Sequence, residues 1–173
     1  DYPAVVATTA DTLQAWWAER APAGCAVLIL DALSLRELPL IIQHGKKQGI
    51  EPLQVDITGS PVPTETDTFA RALGARSRAS LKNNGADASF ILGGVDTYSD
   101  VLSAPFKDCL GDIPPLKNLF IWHTWLDSQI HEHRREPEQL TKLVHKELSS
   151  SGFWEMVQRL RQGRKLLVTS DHG

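Results

Sequence analysis

The sequence predicts an α/β fold, a three-layer sandwich in which helices cover both faces of a mostly parallel β-sheet. Two mainly apolar runs of strand length, Cys25–Leu30 and Asn118–Trp122, are typical of strands that are buried on both faces. The segments between the predicted strands carry apolar residues at helical spacing. Strands that alternate with helices favour right-handed crossovers and therefore parallel pairing.

In the first half of the chain, apolar periodicity and chain breakers define the elements. Pro39 lies within a helical pattern, so the helix there must begin near Leu38 or kink at the proline. Apolar and polar residues alternate over Leu53–Ile57, which predicts a second strand. The predicted elements are helix Thr12–Arg20, strand Cys25–Leu30, helix Ser34–His44, strand Leu53–Ile57 and helix Thr66–Ala75.

In the second half, residues 96–116 contain three prolines and are expected to be mostly irregular, with a short helix near Tyr98. The last strand is an apolar run that leads into Thr169-Ser170-Asp171-His172-Gly173. The predicted elements are turn Asn83–Gly85, short strand Ser89–Leu92, strand Asn118–Trp122, helices Glu138–Leu148 and Phe153–Leu160, and strand Lys165–Val168.

Length and composition indicate one ordinary globular domain spanning residues 1–173. The chain has 42% hydrophobic and 23% charged residues and a net charge of −3, so no global positive field points to nucleic acid or anionic membrane. The chain also contains a local basic cluster. Its interpretation as a solvated helix face is favoured over its interpretation as a phosphate-binding surface. Its members are Arg71, Arg76, Arg78 and Lys82.

Two distant cysteines, Cys25 and Cys109, provide neither a disulfide framework nor zinc-ribbon spacing, which favours a reducing compartment. No signal peptide or membrane-spanning run is found, so a soluble cytoplasmic protein is predicted. The chain begins at Asp1 without a Met and ends inside an apparent motif. We therefore expect it to be a piece of a longer protein, truncated at its carboxyl end.

Polar side chains follow two of the predicted strands. Asp31 comes directly after the first strand, and Asp171 and His172 follow the last one. Open α/β sheets build their sites at the carboxyl ends of strands, which makes these side chains candidates for one metal site. The structural alternative also stands, because Asp is a preferred helix N-cap and Asp-His pairs are common in polar loops.

The segment Pro63–Thr68 lies between a loop and a predicted helix. One of its hydroxyls is expected to cap the helix. The same geometry permits a functional interpretation: a hydroxyl near a metal ion is an activated nucleophile, and free N–H groups at a helix start bind phosphoryl oxygens. The segment alone favours the cap.

Asp127 and His131 are four residues apart just beyond a predicted strand. If this segment is helical, the two side chains share a face and can chelate one ion, although such pairs are more often surface pairs. His123 and His133 rank lower as ligands, the first as strand-end packing and the second as solvated. His44 and His145 are expected on helices, partly exposed.

These motifs, taken in order, resemble the alkaline phosphatase superfamily. More narrowly, Leu28–Ala32, Pro63–Thr66 and Val168–Gly173 look like the PglZ family of bacterial phage-defence (BREX) systems. The resemblance covers roughly residues 25–173 and implies an alkaline-phosphatase-like core. Thr66, rather than Thr64, matches the nucleophile of the superfamily.

The resemblance implies two divalent metal ions and metal-assisted phosphoryl transfer. The first ion would be bound by Asp31, Asp171 and His172, with Thr66 as the nucleophile or a metal-bound hydroxyl. The second would be bound by Asp127 and His131, completed by a further His beyond the chain end. Zinc suits a mixed Asp/His site, and manganese or magnesium remain open.

The implied protein is a phosphatase, phosphodiesterase or nuclease of a phage-defence system. Its partners would be a phosphate ester or nucleic-acid phosphodiester and other defence proteins, with no membrane. The isolated chain is expected to be inactive because its second site is incomplete. One alternative is an inactive scaffold within a multi-protein defence complex. A nucleotide- or effector-binding domain is disfavoured, because Asp31–Leu35 has no glycine for a phosphate loop.

Overall fold

One all-parallel sheet organises the computed structural model, which describes residues 7–60, 62–88, 91–93 and 96–172. Within these residues the sheet has four strands. Their spatial order is β2 (Tyr98–Leu102), β3 (Leu119–His123), β1 (Cys25–Leu30) and β4 (Lys165–Thr169). Because β1 lies between β3 and β4, the residues that follow these three strands emerge side by side at one edge.

Helices begin at residues suited to the role. Thr8 and Asp11 form a capping box at the start of the first helix. The second helix begins at Leu38 after a 3₁₀ turn, so Pro39 falls in its first turn, as predicted. The helices are α1 (Thr9–Arg20), α2 (Leu38–Lys47), α3 (Thr66–Ala72), α4 (Trp125–Glu132), α5 (Pro137–Leu148) and α6 (Ser151–Arg161).

Both faces of the sheet are covered by helices, in agreement with the predicted sandwich. Alternate side chains of β1 enter two separate cores, because successive residues of a strand point to opposite faces. Helices α1 and α3 pack on the face that contains Val27 and Trp122. Helices α4, α5 and α6 pack on the face that contains Leu28 and Leu30.

The predicted strand Leu53–Ile57 is wrong. The segment pairs with no strand of the described sheet, and its apolar side chains face solvent, with Leu53 88% and Ile57 73% exposed. Alternation shows only that a segment would suit a half-buried sheet; pairing depends on a partner strand that the local sequence does not contain. Near this segment, Gly59 forms an isolated β-bridge with Thr8.

The region around Tyr98 forms strand β2 instead of the expected short helix. Its polar residues are buried because they have specific partners: Ser99 Oγ donates to the Leu81 carbonyl at 2.8 Å, and Asp100 Oδ1 accepts from the Asn83 N–H at 2.8 Å. These polar residues concealed the strand from apolar pattern analysis. Of the predicted strand Ser89–Leu92, residues 89–90 lie outside the described part, and Ile91–Gly93 is a 3₁₀ turn.

Gly152, near the start of α6, provides a test of the packing. A Cβ there would lie 2.8 Å from both the backbone N and the Cβ of Lys107. We expect Gly152→Ala to lower the free energy of unfolding by about 1–3 kcal/mol through this clash, although alanine is the better helix former. Gly111→Ala is the matched control, because an added Cβ meets nothing within 4 Å there. Equal urea midpoints for the two variants would contradict this packing.

Candidate metal centre

Three separate segments bring a candidate metal centre together at the carboxyl edge of the sheet. Asp31 directly follows β1, and Asp171 and His172 follow the adjacent strand β4. Thr66 is the first residue of α3, which is anchored by the edge-on contact of Phe69 with Trp122. Parallel pairing therefore places these side chains near one another despite their distance along the chain.

The ligand atoms of Asp31, Asp171 and His172 lie within 4.8 Å of one another. His172 Nε2 is 3.3 Å from Asp171 Oδ2 and 3.6 Å from Asp31 Oδ1. The Thr66 hydroxyl donates to Asp171 Oδ2 at 3.0 Å and lies 3.2 Å from His172 Nε2. The four side chains that the resemblance assigns to a first ion thus lie close together in the structure.

Backbone geometry beside Asp31 holds Asp171 in place. Ala32 has a φ of +60°, an unusual value for a residue with a Cβ. In this conformation its N–H donates to Asp171 Oδ1 at 3.1 Å, leaving Oδ2 for Thr66. Ser60 Oγ in turn donates to the Asp171 carbonyl at 3.0 Å. A left-handed alanine costs about 1 kcal/mol, and such strain is concentrated at functional sites.

Asp31 uses its two carboxylate oxygens differently. Oδ2 accepts from Arg78 Nη1 and, at 3.1 Å, from Trp122 Nε1. Oδ1 is buried, and no hydrogen-bond donor among the described residues reaches it. A buried carboxylate oxygen without a donor is costly unless a cation binds it. With an imidazole, a second carboxylate and a hydroxyl beside it, the donor set fits one divalent ion.

The pKa of Asp31 is raised to about 6, first by burial and then by the negative charge of Asp171, while Arg78 acts in the opposite direction. The carboxylate of Asp127 adds a smaller contribution to the raised pKa. A nearby cation would favour the ionised form of this side chain. The site is therefore short of positive charge, which a divalent ion would supply.

Asp127 and His131 lie apart from this cluster, on α4. Their segment is helical, as their spacing required, and Asp127 Oδ1 is 3.4 Å from His131 Nε2. The His131 side chain is 75% exposed. Among the described residues, the only group of three or more candidate ligands is Asp31, Asp171 and His172. The structure thus shows the expected pair on one face of a helix.

His123 packs at the end of β3, as predicted. Its ring is buried and stacked on Phe106, with centroids 4.1 Å apart, and burial lowers its pKa to about 3. It stays neutral at physiological pH and contributes no charge to the site. Thr64 is exposed, whereas Thr66 is half-buried at the cluster.

Sequence patterns did not single out the residues that support the ligands. Arg78 belonged to a cluster interpreted as solvated, yet it is paired with the buried Asp31. Trp122 was assigned only to a strand, and Ala32 and Ser60 carried no signal. Their roles depend on contacts between residues 47 to 139 positions apart, which no local pattern records.

Comparisons of the chain with protein-family models, curated proteins and solved structures give no match. Across the described residues, no helix combines the length and apolar character needed to cross a membrane.

The raised pKa of Asp31 predicts a pH-dependent stability in the presence of a chelator. A carboxyl whose folded pKa is raised stabilises the fold when protonated, and this contribution is lost as pH rises from about 4 through about 6. We therefore expect Asp31→Asn to gain roughly 3 kcal/mol in free energy of unfolding, relative to the wild type, between pH 4 and pH 7. Urea unfolding at several pH values measures this difference.

The same urea unfolding at several pH values is then repeated in saturating zinc instead of chelator. The wild type should then become more stable as pH rises, because the ion binds the ionised carboxylate, and Asp31→Asn should lose this gain. Parallel pH profiles of the two proteins in chelator would contradict the assignment of Asp31 as a costly buried carboxylate.

Proposed function

We propose that this chain is a metal-dependent phosphoryl-transfer domain of the phosphatase, phosphodiesterase or nuclease type. The observation that carries the proposal is the convergence of Thr66 Oγ1 with Asp171 Oδ2 and His172 Nε2, beside Asp31 Oδ1, which no hydrogen-bond donor of the described residues reaches. A hydroxyl held against two candidate metal-ligand side chains is one arrangement that can activate a nucleophile.

Each side chain has a separate task in this proposal. Asp31, Asp171 and His172 would hold one divalent ion, most suitably zinc. When bound, the ion would lower the pKa of a neighbouring hydroxyl and polarise a phosphoryl oxygen. Thr66 Oγ1 would form a bond to phosphorus as the bond to the ester oxygen breaks, and the proton that Thr66 loses would leave with that oxygen as the alcohol. Water would then cleave the bond between Thr66 and phosphorus, which releases the phosphate and restores the hydroxyl. The hydrogen bond of Thr66 Oγ1 to Asp171 Oδ2 would orient the hydroxyl.

The resemblance to the PglZ family extends the proposal. It suggests a second ion at Asp127 and His131, a phosphate ester or nucleic-acid phosphodiester as substrate, and other phage-defence proteins as partners in the cytoplasm.

One observation favours an inactive scaffold as the alternative. The His131 side chain, a proposed ligand of the second ion, is 75% exposed. A domain could keep the fold and lose turnover in this way. Elemental analysis of the purified natural protein separates the two roles: absence of bound metal, together with no thermal stabilisation by added zinc or manganese, would favour the scaffold.

Substitution of Thr66 tests the proposed nucleophile. In the full natural protein, assayed on p-nitrophenyl phosphate and bis-p-nitrophenyl phosphate with zinc or manganese, Thr66→Ala should lower kcat at least about a hundredfold. Asp171→Ala should lower it similarly and also abolish stabilisation by metal. The reason is that the first change removes the attacking hydroxyl, whereas the second removes an ion ligand.

Two control variants make this result specific. Thr66→Ser keeps the hydroxyl and should retain measurable activity. Thr64→Ala alters an exposed threonine of the same segment and should match the wild type. Full activity in both Thr66→Ala and Asp171→Ala would overturn the assigned site.

A further inference from the structure

The guanidinium of Arg78 contacts the candidate metal centre. Its Nη1 donates to Asp31 Oδ2, the oxygen that also accepts from Trp122. These two donors occupy one oxygen and leave Oδ1 beside His172. Arg78 therefore contacts the site without using the oxygen that an ion would need.

Hydrogen bonds of the backbone fix the position of Arg78. Its backbone N–H donates to Asp67 Oδ1 at 3.0 Å, and Asp67 directly follows Thr66. Ser77 caps the short turn in which Arg78 lies. This contact ties the turn to the start of α3, so the guanidinium and the Thr66 hydroxyl are held at the same centre.

The neighbouring Arg76 is occupied elsewhere. It pairs with Asp87 at 3.1 Å, and its side chain is 76% exposed. The Arg78 side chain is 30% exposed, and its partner Asp31 is fully buried. A guanidinium carries five N–H donors. The pair with Asp31 accounts for one of them, so Arg78 keeps donors for a ligand on the solvent side.

The net charge of the centre indicates a role for Arg78 beyond its ion pair with Asp31. Asp31, Asp171 and Arg78 together carry a net charge of −1, and a divalent ion would change it to +1. A guanidinium beside a cation site repels the cation, which weakens metal binding. The same arrangement strengthens binding of an anion that contacts both positive groups.

We propose that this centre binds a phosphate-type anion with a single divalent ion, because Arg78 supplies the second positive charge. The inference rests on the proposed function and adds the side chain that would contact a non-bridging phosphoryl oxygen of the substrate. Anion binding would then not depend on a second ion at Asp127 and His131.

Calorimetric titration of inorganic phosphate into the natural protein, loaded with one equivalent of zinc, tests this inference. We expect the wild type to bind phosphate at this stoichiometry and Arg78→Gln to bind it at least about tenfold more weakly. Arg78→Lys should be intermediate, and Arg76→Gln should match the wild type. Zinc affinity of Arg78→Gln should equal or exceed that of the wild type, because a like charge has been removed.

A measurement on the wild type avoids dependence on the folding of Arg78→Gln. Phosphate should protect Arg78, and not Arg76, from modification by phenylglyoxal, as mapped by mass spectrometry on the zinc-loaded protein. Equal modification of Arg78 with and without phosphate would overturn the inference.

The other possible outcomes of the titration also test the inference. Wild-type phosphate affinity in Arg78→Gln, or reduced zinc affinity in that variant, would make Arg78 only a counter-ion or a support for Asp31. Phosphate binding that appears only with a second equivalent of zinc would show that two ions are needed. Failure of the wild type to bind zinc would instead refute the proposed function, and the inference with it.

Discussion

Two carboxylates, Asp31 and Asp171, are buried side by side at the carboxyl edge of the sheet, and their mutual repulsion is the constraint on which the site depends. Burying like charges is unfavourable unless donors or cations compensate. The described contacts supply this compensation in part: Arg78 and Trp122 reach one oxygen of Asp31, while the Ala32 N–H and Thr66 hydroxyl reach Asp171. The oxygen left without a donor, Asp31 Oδ1, marks where a positive charge is still required.

The sheet makes this arrangement possible because it fixes the relative positions of the strand ends. β1 is buried on both faces, so its register against β3 and β4 is tightly determined. Trp122 contributes both to the core and to the site. Its ring packs in the core against Phe69, while its Nε1 donates a hydrogen bond to Asp31. Core packing on that face and orientation of the carboxylate are therefore properties of the same side chain.

Local sequence was sufficient for the parts of the fold that depend on local patterns. The buried strands, most helices and the placing of Asp31, Asp171 and His172 at strand ends were predicted and agree with the structure. The Leu53–Ile57 strand was predicted wrongly and β2 was missed, because pairing is decided by distant partners and buried polar residues can replace apolar ones. Arg78 was overlooked for the same reason, since its partner lies 47 positions away.

The need for positive charge also explains why Arg78 and a second ion are alternative solutions to one electrostatic problem. Asp127 contributes to the raised pKa of Asp31, so a cation near Asp127 would ease the same repulsion that Arg78 already reduces. Arg78 is covalently held and fixed by its turn, whereas an ion at Asp127 and His131 would have only two ligands among the described residues. A charge that belongs to the chain requires no separate binding step. In the proposed arrangement, Arg78 is therefore the permanent second charge at this centre.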